Sequence, residues 1–222
     1  MFELHPNALA ALTGFISGVL LSIPVGPINL TIINEGARRG FFWAALIALG
    51  AVVADLIYCT IAFTGFASFF GSRLIKAIME LTSFVFLLYL GLKFLKAKTI
   101  KASSKIEERI EEKLHPHSAF MIGFVRVIGN PGVLLLWMII AANFISREWV
   151  KREGMSEFFC ILGVATGASL WFLGLSYAVS LGHKKFTDKT LLKLERFSGV
   201  GLITLAVIHG AHIIWQMARH KM

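Results

Sequence analysis

Six long, nearly uncharged apolar runs dominate the chain: Leu9 to Asn34, Phe41 to Phe70, Ala77 to Leu95, Ser118 to Ile145, Met155 to Leu181 and Phe197 to Met217. An α-helix crosses the hydrocarbon core of a bilayer in about 20 such residues. The runs are continuous rather than alternating, which excludes the strands of a membrane β-barrel. Of 222 residues, 56% are hydrophobic and 16% charged, against about 25% charged in an ordinary soluble domain. A disordered chain lacks such apolar material, and a water-soluble globule of this size cannot hide it. The expected fold is an all-α polytopic membrane protein with six transmembrane helices. The leader Met1 to Asn7 carries Glu3 and no Lys or Arg, so the first run is expected to stay in the mature protein as a span rather than act as a cleaved signal.

The basic residues set the expected orientation. Seven lie on the side of the N-terminal tail, Arg73–Lys76, Arg147–Arg152 and the C-terminus, and fourteen on the side of Arg38–Arg39, Lys93–Lys113 and Lys184–Arg196. The richer side belongs in the cytoplasm, leaving both termini outside. The net charge of +9 is therefore read as loops facing an anionic membrane surface. No nucleic-acid partner is expected, because no aromatic and basic residues interleave as single-strand binders require. The longest loop, residues 96–117, separates a first three-helix half, residues 1–95, from a second, residues 118–222. Within it, Ile106, Ile110 and Leu114 give Ser104 to Leu114 the pattern of a short amphipathic helix on the membrane face. Three spans per half force the halves to enter the membrane from opposite sides, the arrangement of an inverted repeat.

Two of the spans are interrupted. The first contains Ser22-Ile23-Pro24-Val25-Gly26-Pro27-Ile28-Asn29, and the fourth contains Ile128-Gly129-Asn130-Pro131-Gly132. Proline removes a backbone donor and collides with the preceding turn, so no helix runs smoothly through either stretch. Freed backbone groups must be buried in protein or line a wet cavity. Broken helices at corresponding places in two halves are the best sequence pointer to a transport site. Pro24, Gly26, Pro27, Pro131 and Gly132 form the broken-helix motif.

Polar residues inside the spans are the candidate ligands. Asp55 lies mid-way along the second run, where a charge costs about 2.5–3.5 kcal/mol and marks a functional site by default. Its carboxylate suits a proton, a substrate amine or a cation, or a salt bridge to Arg126. Arg126, five residues before Pro131, suits an anionic substrate group or snorkels to the interface. Asn29 and Asn130 flank the breaks with both donors and acceptors, for a ligand or for the freed backbone. His209 and His212 share a helix face, but no further metal ligands follow at fixed spacing, so no metal centre is expected. Gly14-xxx-Gly18 and Gly163-xxx-Gly167 offer small-residue faces for close helix packing or for a homodimer.

These residues also carry a family likeness. Gly18 to Asn29, then Glu35-Gly36-Ala37-Arg38-Arg39-Gly40, then Gly50 to Asp55, with Asn130-Pro131 in the second half, resemble the LysE/RhtB superfamily of amino-acid exporters. The resemblance implies export as the direction and an amino acid as the substrate class. Two positions depart from the pattern. Many members carry an acidic residue after the Gly-Pro pair, where this chain has Ile28-Asn29, closer to the branch that exports basic amino acids. The second motif commonly continues with lysine or alanine, where this chain has Gly132-Val133. Substrate identity is not carried over.

The expected function is secondary active export of an amino acid or similar small polar metabolite across the cytoplasmic membrane, driven by a proton or sodium gradient. The implied partners are the small-molecule substrate, the bilayer and, beside them, a second copy of the chain; no cofactor is expected beyond the coupling ion. Two alternatives remain at this stage: a divalent-cation exporter of the same superfamily, and a redox membrane protein working through Cys59 and Cys160. No phosphate-binding loop, nucleophile elbow or zinc signature supports an enzyme.

Overall fold

The computed structural model describes residues 5–24, 26–66, 73–97, 118–182 and 187–219. The described residues form eight helices: α1 (Pro6–Ser22), α2 (Pro27–Arg39), α3 (Phe41–Phe66), α4 (Arg73–Leu95), α5 (Ala119–Ile128), α6 (Pro131–Ser146), α7 (Gly154–Gly182) and α8 (Asp188–Arg219). The first and fourth apolar runs each divide in two, at the breaks expected from their prolines. The α1–α2 pair bends by 70° and the α5–α6 pair by 66°. By length and apolarity, α3, α7 and α8 can each cross a membrane, and the count rises to five if each bent pair is one span. In α4, which holds the third expected span, the apolar stretch is Phe84–Leu95. The loop helix expected at Ser104 to Leu114 lies outside the described residues.

The breaks sit where the sequence stops the helix. Pro27 and Pro131 each open the second helix of a pair at its first position, the one helical position where a missing N–H is harmless. Ser118 caps α5 by accepting from the Met121 N–H at 3.2 Å, and Asn130 caps α6 by accepting from the Gly132 N–H at 2.9 Å. Both caps satisfy donors that a helix start leaves unpaired.

Glycines then decide which helices touch. α1 packs along α7, α3 crosses α5, and α4 lies on α8. A Cβ on Gly14 or Gly18 would run into the α7 backbone at Cys160, Val164 and Ala168, and one on Gly163 or Gly167 into the α1 backbone at Ala11, Phe15 and Val19. The two small-residue faces anticipated in the sequence therefore face each other. The same close approach recurs between Gly50 and Gly123 at the α3–α5 crossing, and between Gly91 and Gly199 at the α4–α8 contact. Helices in lipid gain little from hydrophobicity against one another, so backbone approach at small residues is what holds them. The core around α3 is apolar, with Ile47, Ala51, Phe63, Val164 and Ala168 buried.

One corner needs glycine for its backbone. Gly40 ends α2 with φ 85° and ψ −177°, a region that L side chains rarely enter. Beside it the Arg39 guanidinium lies 4.5 Å from the Trp43 ring centroid, and Glu35 pairs with Arg39 at 3.1 Å. Nothing lies within 4 Å of a Cβ built on Gly40, so Gly40→Ala isolates the backbone term. That variant is expected to lose about 1–3 kcal/mol, read as a lowered melting temperature of the purified protein in detergent.

Candidate functional site

At the first break, α1 ends with carbonyls that have no helical partner. The Asn29 amide supplies two donations, to the Ser22 carbonyl at 2.9 Å and to the Pro24 carbonyl at 2.6 Å. Its oxygen accepts from the Trp171 indole N–H of α7 at 3.2 Å. Asn29 is 2% exposed, so its amide is a buried clamp over the break. Ser22 closes its own hydroxyl onto the Gly18 carbonyl at 2.7 Å. Gly26 lies between the two helices with open space where a side chain would be.

The second break is gripped from outside by α3. Tyr58 donates its hydroxyl to the carbonyl of Ile128, the last residue of α5. One turn earlier on α3, Asp55 accepts at Oδ1 from the Trp137 indole N–H of α6 at 3.2 Å. One helix thus holds both pieces of the broken span. Asn130 stands at the corner, with its side chain committed to the α6 cap. Gly132 follows at van der Waals limit, since a Cβ there would come 3.0 Å from Asn130 Oδ1.

The structure therefore draws Asp55 to the second break and Asn29 to the first. No hydrogen bond among the described residues joins Asp55 to Asn29 or Asn130. Among the described residues Asp55 meets the Trp137 indole, and no salt bridge there joins it to Arg126. Arg126 is half-buried in the last turn of α5, where a cation complements the negative end of the helix dipole. Cys59 and Cys160 are free thiols, both buried in the helix core. The Trp137, Trp171 and Tyr58 donors were not singled out in the sequence. An indole or phenol within an apolar run reads as ordinary core or interface, and only the fold reveals its acceptor. A separate cleft of about 500 Å³ lies at the α6–α7 loop, lined in part by Glu148, Lys151, Arg152 and Glu153; it contains none of these site residues.

Asp55 is thus a half-buried acid in an apolar helix, partnered by an uncharged donor and set beside the second helix break. The model of the LysE type translocator family matches residues 19–209, a span that contains both breaks and Asp55. The chain belongs to the LysE type translocator family. It is a multi-pass membrane transporter and not an enzyme. A relative in Bacillus subtilis (strain 168) named "Putative amino acid efflux protein YcgF" is 26% identical over 207 residues, covering 93% of this chain and 97% of its own. The arginine exporter protein ArgO of Shigella flexneri is 28% identical over 166 residues, covering 73% of this chain and 74% of its own, as is that of Escherichia coli O157:H7. No solved structure matches the chain.

Proposed function

We propose that this LysE-family member is a secondary exporter of amino acids in the cytoplasmic membrane, coupled to a proton or sodium gradient, with Asp55 as the carboxylate that binds the coupling cation or the substrate amine. The observation that carries the reading is the Asp55 carboxylate itself. It sits mid-way along α3, it is met by an indole rather than a cation, and it lies beside a broken helix. A half-buried carboxylate on an apolar helix is costly to keep ionised without a positive partner, so a proton, a sodium ion or an ammonium group is the ligand that suits it. The N-termini of α2 and α6 open at the breaks, and such half-helix ends favour the carboxylate of an amino acid. Asn29 and Asn130 hold the breaks in shape, and Arg126 lines the second from α5. The names of the relatives, an amino-acid efflux protein and arginine exporters, make arginine the first substrate to assay.

The same reading takes the chain as six spans in two inverted halves, residues 1–95 and 118–222, joined by the cytoplasmic segment 96–117, with both termini outside. It is supported by the way contacts exchange when the halves do. Matching α1, α2, α3 and α4 to α5, α6, α7 and α8 turns the α1–α7 packing into the α5–α3 packing and returns α4–α8 to itself. It also pairs the Trp171–Asn29 bond with the Trp137–Asp55 bond: each joins the second piece of a broken helix in one half to the long helix after the break in the other.

The test is amino-acid release from exporter-deficient cells that express the protein and are fed a panel of dipeptides, arginine-containing ones first. Selective release of one amino acid or one chemical group of them is expected. Release of none, with the protein shown to be in the membrane, contradicts the reading and turns attention to divalent cations.

A further inference from the structure

Two indoles cross between the halves, and their acceptors differ in charge. Trp171 of α7 donates to the neutral amide oxygen of Asn29. That amide is also engaged with Ser22 and Pro24, so the link is built into the first break and has nothing to exchange. Trp137 of α6 donates to the carboxylate of Asp55. It is 3% exposed, within the core that α3 and α6 share. Among the described residues this is the one hydrogen bond that Asp55 accepts, which leaves its second oxygen for a ligand. The Tyr58 bond to the Ile128 carbonyl lies one turn away and involves no charge, so it holds α5 on α3 whatever happens to Asp55.

A hydrogen bond to an ionised acceptor is about twice as strong as a neutral one. Neutralising Asp55, by a proton or by a bound cation, removes that charge assistance from the Trp137 bond and leaves the Asn29 and Tyr58 bonds untouched. We propose that Trp137 is a latch: its indole holds α6 on α3 while Asp55 is empty, and loading Asp55 loosens the hold so that the halves can move against each other. Trp137 is then a positioning residue for the empty carrier. The inference rests on Asp55 being the loaded carboxylate.

The latch separates two fluxes. Net efflux requires the empty carrier to return, whereas exchange of internal for external substrate keeps it loaded throughout. In proteoliposomes with no ion gradient, radiolabelled arginine is followed in both modes for wild type and Trp137→Phe. Loss of the latch is expected to raise the ratio of net efflux to exchange about tenfold, the change that a charge-assisted bond of about 1.4 kcal/mol represents. A rise of less than twofold, or a fall, overturns the latch. A purely structural role would lower both fluxes together and leave the ratio alone, which is the result expected of Trp171→Phe. A readout that needs no substitution at Trp137 in the assayed protein is the Trp137 indole N–H proton resonance of the native protein. Saturating arginine is expected to move it upfield, and an unmoved resonance overturns the latch. If Asp55→Asn retains gradient-driven export, the underlying site reading fails and the latch goes with it; if Asp55→Asn is inactive while the ratio in Trp137→Phe is unchanged, the latch alone fails.

Discussion

Asp55→Asn is expected to abolish gradient-driven export while the protein still folds and inserts. The amide keeps the size of the carboxylate and offers an oxygen to the Trp137 indole, so the α3–α6 hydrogen bond is kept in a neutral, weaker form. What disappears is the charge. An interaction with an ionised group contributes about 1.5–3 kcal/mol, so binding of the coupling cation or substrate amine is expected to weaken about 10- to 100-fold, and coupling to vanish because the group no longer titrates. Membrane content and melting temperature are expected to stay near the wild-type values, which separates loss of chemistry from loss of structure. Gradient-driven export at more than half the wild-type rate would remove Asp55 from the mechanism.

The second large effect is structural. Gly123→Leu drives α5 off α3, because the Cβ would collide with the Ile47 carbonyl and approach the Ala51 N–H, both backbone groups that cannot turn aside. Gly50→Leu meets the Phe120 carbonyl in the same way from the other helix. Overpacking a tight contact costs about 1–3 kcal/mol and sometimes more. Here the obstacle is main chain on both sides, so the upper end is expected, with little folded protein recovered from the membrane. The contrast lies at Gly174 and Gly201, where a Cβ meets nothing within 4 Å. Alanine at either position is expected to leave stability unchanged or raise it by about 1 kcal/mol, since glycine is a poor helix former. Thermal unfolding in detergent separates the two classes; a stable, monodisperse Gly123→Leu protein would contradict the packing described for α3 and α5.

Much of this architecture is legible in the sequence, and the illegible part has a physical pattern. Hydrocarbon thickness dictates run length, so the apolar runs announce helices. Pro24, Pro27 and Pro131 announce the breaks because the loss of a backbone donor is a local matter that needs no partner. The Gly14 and Gly163 faces are visible as four-residue spacings, yet their facing each other is not, since that depends on two helices 149 positions apart in the chain. Gly50 and Gly123 stand singly within apolar runs and give no periodic signal, although they meet backbone as closely. Asn29 reads equally as ligand or as clamp in the sequence; its amide lies on Ser22 and Pro24. Asp55 is conspicuous because a charge in an apolar run is costly. Its partner Trp137 is not, because an indole reveals its donor only when an acceptor is within reach.

The proposed coupling of an ion gradient to amino-acid export is tested with purified protein in liposomes. Arginine is loaded inside, a proton or sodium gradient is imposed in either direction, and its flux is measured beside that of Asp55→Asn. One of the two gradients is expected to accelerate wild-type flux, its reversal to reverse the effect, and Asp55→Asn to respond to neither. Flux that ignores both gradients, or that responds equally in the variant, contradicts the proposed coupling.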